Sequence, residues 1–250
     1  MEKIIKSYAD RIFHRKISLI IKKHSKNKKD IRNQVKKIVD FKRYHRLLDV
    51  GCGYGWFLEA LPDGFDVIMG IDCNDENKAE FLSLAEKKAK KAVFIKSFLP
   101  SKIDVPSSYF DIIVSAYSLY FFPDMLSEIK RLLAKEGVFI VITHSSHMLE
   151  EGERFFRFDN LRKVIESFSA ENGYEILKLY FNYVEYFDYP NELIFHEKDS
   201  NALEQYIDFK SAFIEKDVDP TLVKERLLKE LREKKSLSFN KNDRVFIARP

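Results

Sequence analysis

The chain changes its hydrophobic period more than once. Ile4, Ile5, Tyr8, Ile12 and Phe13 fall at roughly helical spacing, and Ile17, Ile20 and Ile21 continue the stripe, which predicts helices in the first forty residues. The polar stretch His24 to Asp30 separates these from a second helix expected over Ile31 to Phe41. At Arg46 the pattern becomes a short apolar run, Arg46-Leu-Leu-Asp-Val, that stops at Gly51, as a strand buried on both faces would. The predicted elements then alternate: a helix over Trp56 to Leu61, a strand over Phe65 to Asp72, a helix over Asn77 to Lys90, and strands over Ala92 to Lys96 and Phe110 to Ala116. A helix over Asp124 to Lys135, the turn Lys135-Glu136-Gly137 and a strand over Val138 to Thr143 complete the series. Alternating strand and helix units with right-handed crossovers predict a parallel sheet covered by helices on both faces. Ligands of such sheets bind beyond the carboxyl ends of the strands.

After Thr143 the rhythm breaks. The next ninety residues read as mostly helical and carry the aromatic cluster Phe155, Phe156, Phe158, Phe168, Tyr180, Phe181, Tyr183, Tyr186, Phe187 and Tyr189. One strand is expected within Tyr183 to Phe195, and helices over about Ser200 to Ile214 and Pro220 to Lys234, the latter with proline in its first turn. Ser236 to Phe239 and Arg244 to Ala248, joined by Asn240-Lys-Asn-Asp243, are expected to form a terminal hairpin.

Composition narrows the class. The 250 residues are 45% apolar, with 22 phenylalanines and 12 tyrosines, enough for a sizeable core in a single domain over 1–250. Within it we expect a helical arm or lid over 1–43, a ligand-binding core over 44–145, a helical cap with one strand over 146–235, and the hairpin over 236–250. The longest apolar stretch, around Phe110 to Phe122, is interrupted by Ser115 and Ser118 and falls short of the ~18 residues a membrane span needs. The opening Met-Glu-Lys-Ile-Ile-Lys lacks the apolar centre of a secretion signal, and two cysteines make no disulfide framework. The expectation is therefore a cytoplasmic protein with no membrane partner. Charge is uneven: residues 1–46 hold 16 lysines and arginines against 4 acids, a local +12, while the remainder carries −8. A basic arm on an acidic body suits phosphate-bearing partners, and equally a solvated helical face.

The chemistry lies in Leu47-Leu-Asp49-Val-Gly51-Cys-Gly53-Tyr-Gly55, where an acid near the end of a buried strand precedes three alternating glycines. Glycine permits positive φ and removes Cβ, so a ligand can approach a backbone whose amides are still unpaired. A dinucleotide site would place its third glycine at position 56, which is Trp56, and Asp49 would repel a pyrophosphate. A ligand bearing an amino group suits that carboxylate better.

These residues resemble the first motif of the class I S-adenosylmethionine-dependent methyltransferases, in their small-molecule, type 11/25-like branch. Asp72 at the end of Met69-Gly-Ile-Asp72, the segment from Phe110 to Asp124, and Leu132-Leu-Ala-Lys-Glu-Gly137-Val resemble later motifs in the same order, over roughly residues 44 to 145. The resemblance implies a Rossmann-like three-layer αβα sandwich with a mostly parallel seven-stranded sheet. It implies S-adenosyl-L-methionine as cofactor and S-adenosyl-L-homocysteine as product. Carried over, Gly51, Gly53 and Gly55 pass beneath the methionine portion, Asp49 receives its amino group, and Asp72 holds the ribose, with Cys52 and Cys73 beside them. Ala116 offers its backbone, Ser97 and Phe98 flank the adenine, and Tyr8 of the N-terminal arm covers the ligand. Many relatives carry an aspartate after the third strand for the adenine amino group; Lys96-Ser97-Phe98 has none.

Methyl transfer from a sulfonium needs alignment and a water-poor pocket, and a base only when the acceptor must lose a proton. His147 and His144, just after the fifth predicted strand, are the candidate bases, and Tyr117 and Tyr120 the candidate acceptor wall; no metal is expected. The leading reading is transfer to O or N of a small molecule by a monomer or homodimer. The alternatives are an RNA methyltransferase using the basic arm, a catalytically silent partner of the same fold and, more distantly, an NAD-dependent oxidoreductase. Ser115-Ala-Tyr-Ser118 stands where exocyclic-amine enzymes have Asn/Asp-Pro-Pro-aromatic, and neither Cys52 nor Cys73 occupies the position of a cytosine-C5 nucleophile.

Overall fold

The computed structural model describes residues 10–155, 157, 159–213 and 218–250. Its helices and strands in chain order are α1 (Arg11–His24), α2 (Ile31–Ile38), β1 (Arg46–Val50), β2 (Phe65–Asp72), α3 (Lys78–Ala85), β3 (Ala89–Lys96), β4 (Phe110–Ala116), α4 (Leu126–Leu132) and β5 (Leu133–His144). They continue with α5 (Asp159–Glu166), α6 (Gly173–Lys178), β6 (Tyr183–Tyr189), β7 (Glu192–His196), α7 (Ser200–Lys210), α8 (Pro220–Lys234), β8 (Ser236–Asn240) and β9 (Asp243–Arg249). The described residues fall into two compact units: 29–144, 166–189 and 243–250 form one, and those within 10–28, 145–165 and 190–242 the other.

The larger unit is the expected three-layer sandwich. Its seven strands run β3-β2-β1-β4-β5-β9-β6, parallel from β3 through β5, with β9 antiparallel to both β5 and β6. Leu47, Ile68, Ile112 and Ile140 form one face, packed with Ile31 and Val35 of α2 and Phe81 and Ala85 of α3. On the other face Phe139 meets Phe181, and Phe246 meets Phe168 and the start of α6, where a Cβ on Gly173 would come within 2.7 Å of the Phe246 ring. The alternating pattern thus becomes two buried faces, which removes from water the apolar surface that drives the fold.

The smaller unit joins α1, α7 and α8 to the two-stranded sheet β7-β8. Asp10 and Asp219 cap α1 and α8 by accepting from Phe13 N and Thr221 N, and Pro220 begins α8 as expected. Phe195 stacks on His24 and lies against Tyr206 and Phe239. Phe209 packs between Phe13 and His14 of α1, and burial together with nearby Lys210 pushes the His14 imidazole down to about 4.

Several boundaries differ from expectation. The terminal segments are strands but not a hairpin: β8 pairs with β7, and β9 enters the large sheet between β5 and β6. Asn240 to Asp243 therefore passes from one sheet to the other. The single strand expected over Tyr183 to Phe195 is two, broken at Pro190, which has no N–H to donate and whose ring fixes φ. The helix expected at Trp56 to Leu61 is a 3-10 turn over Leu58–Ala60, and the turn at Gly137 is an irregularity within β5, where Phe110 pairs with Leu133 but Ile112 with Val138. A Cβ on Gly137 would lie 2.9 Å from the Ala134 carbonyl and 3.0 Å from that of Asp111. Ile12, placed on the apolar stripe by its spacing, is 78% exposed, and Ile17 carries the buried position instead. Ile4, Ile5, Tyr8, Phe156, Phe158 and Ile214 lie outside the described residues.

Candidate functional site

The glycine turn opens at the carboxyl edge of the large sheet, where β1 ends between β2 and β4 and Asp49 pairs with Gly70 on one side and Val114 on the other. All three glycines have positive φ: Gly51 at 72°, Gly53 at 50° and Gly55 at 91°. They differ in what a side chain would meet. At Gly51 a Cβ would fall 2.5 Å from the Ser118 Cβ, and at Gly55 it would touch Leu84, Leu58 and Phe81, so both are glycine partly for packing. At Gly53 nothing lies within 4 Å, so its backbone faces open space. Ser118 explains the first case: its hydroxyl donates to the Val50 carbonyl at 2.8 Å and meets the Ser115 hydroxyl at 2.7 Å, fastening the end of β1 to the loop after β4.

Asp49 is 2% exposed, and its Oδ2 has no hydrogen-bond partner among the described residues. Burial, helped by the charge of Asp72, pushes its carboxyl up to about 8. A buried acceptor left unpaired costs about 1–3 kcal/mol, more if charged, so this position favours a positively charged donor. Asp72 accepts from Gly53 N at 2.9 Å, Asn74 N at 2.8 Å and Asn77 Nδ2 at 3.4 Å, tying the glycine turn to the end of β2. The Cys73 backbone also contributes to holding this carboxylate, so Asp72 is fixed from several sides at the mouth of the turn. The Cys52 thiol is buried and pushed up by burial, which keeps it a small apolar filler; Cys73 is half-buried. At the end of β3, Ser97 N donates to the Asp72 carbonyl, the Ser97 hydroxyl meets that of Ser101 at 3.0 Å, and Phe98 is 65% exposed.

Beside the turn stands an aromatic wall. Tyr117, in the left-handed region at φ 58°, donates its N–H to Ile142 O, and its ring lies 5.6 Å from Trp56 and stacks 4.7 Å from His144. Tyr120 also stacks on His144, at 5.9 Å. Ala116, half-buried at the end of β4, pairs with Ile142. Behind His144 is a residue that the sequence did not single out. Asp243, 4% exposed, places Oδ1 2.7 Å from His144 Nδ1 and accepts the Tyr117 hydroxyl on Oδ2 at 2.8 Å. The pairing of β5 with β9 sets this contact, since His144 and Asp243 are partners in register. An acid opening the final strand reads in sequence as a turn residue, and only the order of strands brings it beside β5.

The larger unit contains Asp49, Gly51, Cys52, Gly53, Gly55, Asp72, Cys73, Ser97, Phe98, Ala116, Tyr117, Tyr120 and His144. His147 belongs to the other unit, where its ring is 63% exposed and pairs with Glu150 at 3.0 Å. Tyr8 lies outside the described residues. Sequence reading also passed over Arg32. From α2 its guanidinium bonds Asp30 and Glu59, donates to the Trp56 carbonyl, and lies 4.5 Å over the Trp56 ring, bracing the segment that follows the glycines.

Comparison with known proteins gives the same fold. YcgJ of Bacillus subtilis strain 168, an uncharacterized methyltransferase, is 27% identical over 111 residues, covering 43% of this chain and 44% of that protein, so less than half of the relative's length is matched in sequence. The solved structure of YcgJ superposes with a TM-score of 0.58 at 19% identity, over 88% of this chain and 98% of that one. A methyltransferase-fold protein of Bacillus halodurans C-125 gives 0.60 at 14% identity, again over 88% and 98%. The [4+2]-cyclase SpnF gives 0.54 at 17% identity over 88% and 80%, a reminder that this fold carries more than one reaction. The family described as the methyltransferase domain matches residues 7–199, most of the chain. The chain belongs to that methyltransferase-domain family, and its seven-stranded sheet is the fold of the S-adenosylmethionine-dependent methyltransferases.

Proposed function

We propose that this protein binds S-adenosyl-L-methionine and transfers its methyl group to a small-molecule acceptor. The observation that carries the proposal is the unpaired, buried Oδ2 of Asp49 beside the open backbone of Gly53. These residues fit the cofactor. A zwitterionic amino-acid portion brings the ammonium that Asp49 lacks, and an open glycine edge lets it lie against the backbone. Asp72 would take the ribose hydroxyls, Ala116 would offer its backbone, and exposed Phe98 would cover the adenine, with Ser97 beside it. When bound, the cofactor supplies a methyl group on a positively charged sulfur that departs as a neutral thioether. The protein's task is then alignment and exclusion of water, which in well-oriented systems is worth on the order of 7–11 kcal/mol. Trp56, Tyr117 and Tyr120, grouped beside the glycine turn through their contacts with one another and with His144, would form one wall for a small acceptor.

Titration calorimetry with S-adenosylmethionine and S-adenosylhomocysteine tests the reading. One-site binding is expected for the unaltered chain, lost in Gly53→Arg and weakened about tenfold or more in Asp49→Asn, the usual range for removing a hydrogen bond to a charged group. Absence of binding to the unaltered chain at millimolar ligand, or affinity in both variants equal to that of the unaltered chain, would overturn it.

A further inference from the structure

His144, Asp243 and Tyr117 form a chain of contacts in the wall of the proposed site, and its construction speaks to the acceptor. We propose that Asp243 is a positioning residue that fixes His144 as a general base, and that the group methylated is a hydroxyl. This rests on the methyltransferase reading above and narrows its acceptor.

Asp243 is held by the sheet itself, since its backbone pairs with His144 of β5 on one side and Tyr189 of β6 on the other. Its Oδ2 accepts the Tyr117 hydroxyl, and its Oδ1 faces His144 Nδ1. Burial first, and then the Asp243 charge, push the Tyr117 hydroxyl far above its ordinary range, so it remains a donor. A carboxylate only accepts, so Nδ1 carries the proton and Nε2 is the nitrogen that takes a second one. Stacking with Tyr117 and Tyr120, each ring inclined 26° to the imidazole, restrains its plane. Among the described residues, Asp243 from β9 and Tyr117 and Tyr120 from the loop after β4 face the ring, and burial together with the same Asp243 charge pushes the Tyr189 hydroxyl of β6 up to about 12.

The two acceptor classes make different demands. A neutral amine attacks with a lone pair it already has, and its extra proton leaves afterwards to water. A hydroxyl is a poor nucleophile until its proton begins to leave, so it needs a base at the moment of attack. In the proposed step the acceptor oxygen forms a bond to the methyl carbon as the carbon–sulfur bond breaks. The electron pair of that bond goes to the departing thioether, and the hydroxyl proton passes to His144 Nε2. The imidazolium formed is stabilised by Asp243 and later returns the proton to solvent. A buried carboxylate behind the imidazole is expensive in desolvation, and positive charge developing on that ring offsets this cost.

The test uses the full chain with methyl-tritiated S-adenosylmethionine and matched pairs of phenols and anilines, alcohols and alkylamines, p-cresol against p-toluidine among them, alongside S-adenosylhomocysteine binding for every variant. Transfer to hydroxyl members is expected, reduced about 100-fold or more in His144→Gln and about 10- to 100-fold in Asp243→Asn, in the range typical of general-base loss. Cofactor affinity should hold in both. In Asp243→Asn the acid limb of the pH–rate profile should move to lower pH, because the imidazolium has lost its neighbouring anion, a shift that a merely structural role would not produce. Tyr117→Phe, which leaves the carboxylate in place, should keep that limb near its original position and guards against an Asp243→Asn chain that fails to fold. Preferred transfer to the amine members, an unmoved pH limb, or cofactor binding without transfer to any hydroxyl would overturn the proposal. Failure to bind S-adenosylhomocysteine at all would overturn the reading beneath it.

Discussion

At the scale of single residues, Asp49 is the most informative group because its pairing is incomplete. Its carboxyl is pushed from 3.8 up to about 8 by burial, so in the free protein it holds a proton that the unfolded chain releases near pH 4. A raised carboxyl stabilises the folded state least at high pH: the folded form binds more protons between the two values, and stability falls as pH rises from about 4 to about 8. Asp49→Asn should remove that slope, so the gap in melting temperature between variant and parent should widen up to about pH 8 and level beyond it. Ligand binding should show the counterpart. An ammonium stabilises the ionised carboxylate, so uptake of S-adenosylhomocysteine below about pH 8 should release a proton, read as calorimetric heats that depend on the buffer and that vanish in Asp49→Asn. Gly51 supports a simpler test. A Cβ there would meet both positive φ and the Ser118 side chain at 2.5 Å, so Gly51→Ala should cost about 2 kcal/mol or more in chemical denaturation, a typical sum for backbone strain and overpacking. These residues were visible in the sequence because acid-x-Gly-x-Gly-x-Gly is a local pattern. Asp243 was not, because its meaning depends on which strand it lies beside.

The elements show where the reading of local pattern runs out. Strands β1, β2 and β4 and helix α8 were legible because an apolar run or a helical stripe with its cap is written in consecutive residues. Pairing is not so written: nothing in Ser236 to Phe239 says that it will meet β7 rather than the strand after it, since both offer alternating apolar positions. The brace from α2 is similar. Arg32 holds Trp56 by a carbonyl bond and by its guanidinium over the indole, joining a helix to the glycine turn through residues 24 positions apart. Trp56 is the chain's single tryptophan, so its fluorescence reports this segment alone. Arg32→Ala should shift that emission to longer wavelength as the ring gains water, and should destabilise the fold by about 1–3 kcal/mol, the range for losing a hydrogen-bonded charged partner. Unchanged emission would mean that the turn holds Trp56 without α2.

For the molecule as a whole, binding should appear as stability. A ligand at 100 times its dissociation constant adds about 2.7 kcal/mol, which for a chain of this size raises the melting temperature by roughly 5–10 °C. S-adenosylhomocysteine should produce that rise and NAD should not. The excess charge of +12 in residues 1–46 bears on the alternative acceptor. If RNA were methylated, affinity would fall steeply with salt and tritium would enter RNA; we expect no label in RNA across the salt range, measured by acid precipitation. The order of strands has one more consequence, for synthesis. The strand that carries Asp243 is the last element of the chain yet lies inside the sheet, between two strands made well before it. Until it leaves the ribosome, β5 keeps an open edge, β6 has no partner in the large sheet, and His144 stands without its carboxylate. A nascent chain therefore stays vulnerable to edge pairing and to chaperone capture until β9 has emerged. Chains cut short before Asp243 would keep the glycine turn and lack the proposed base assembly.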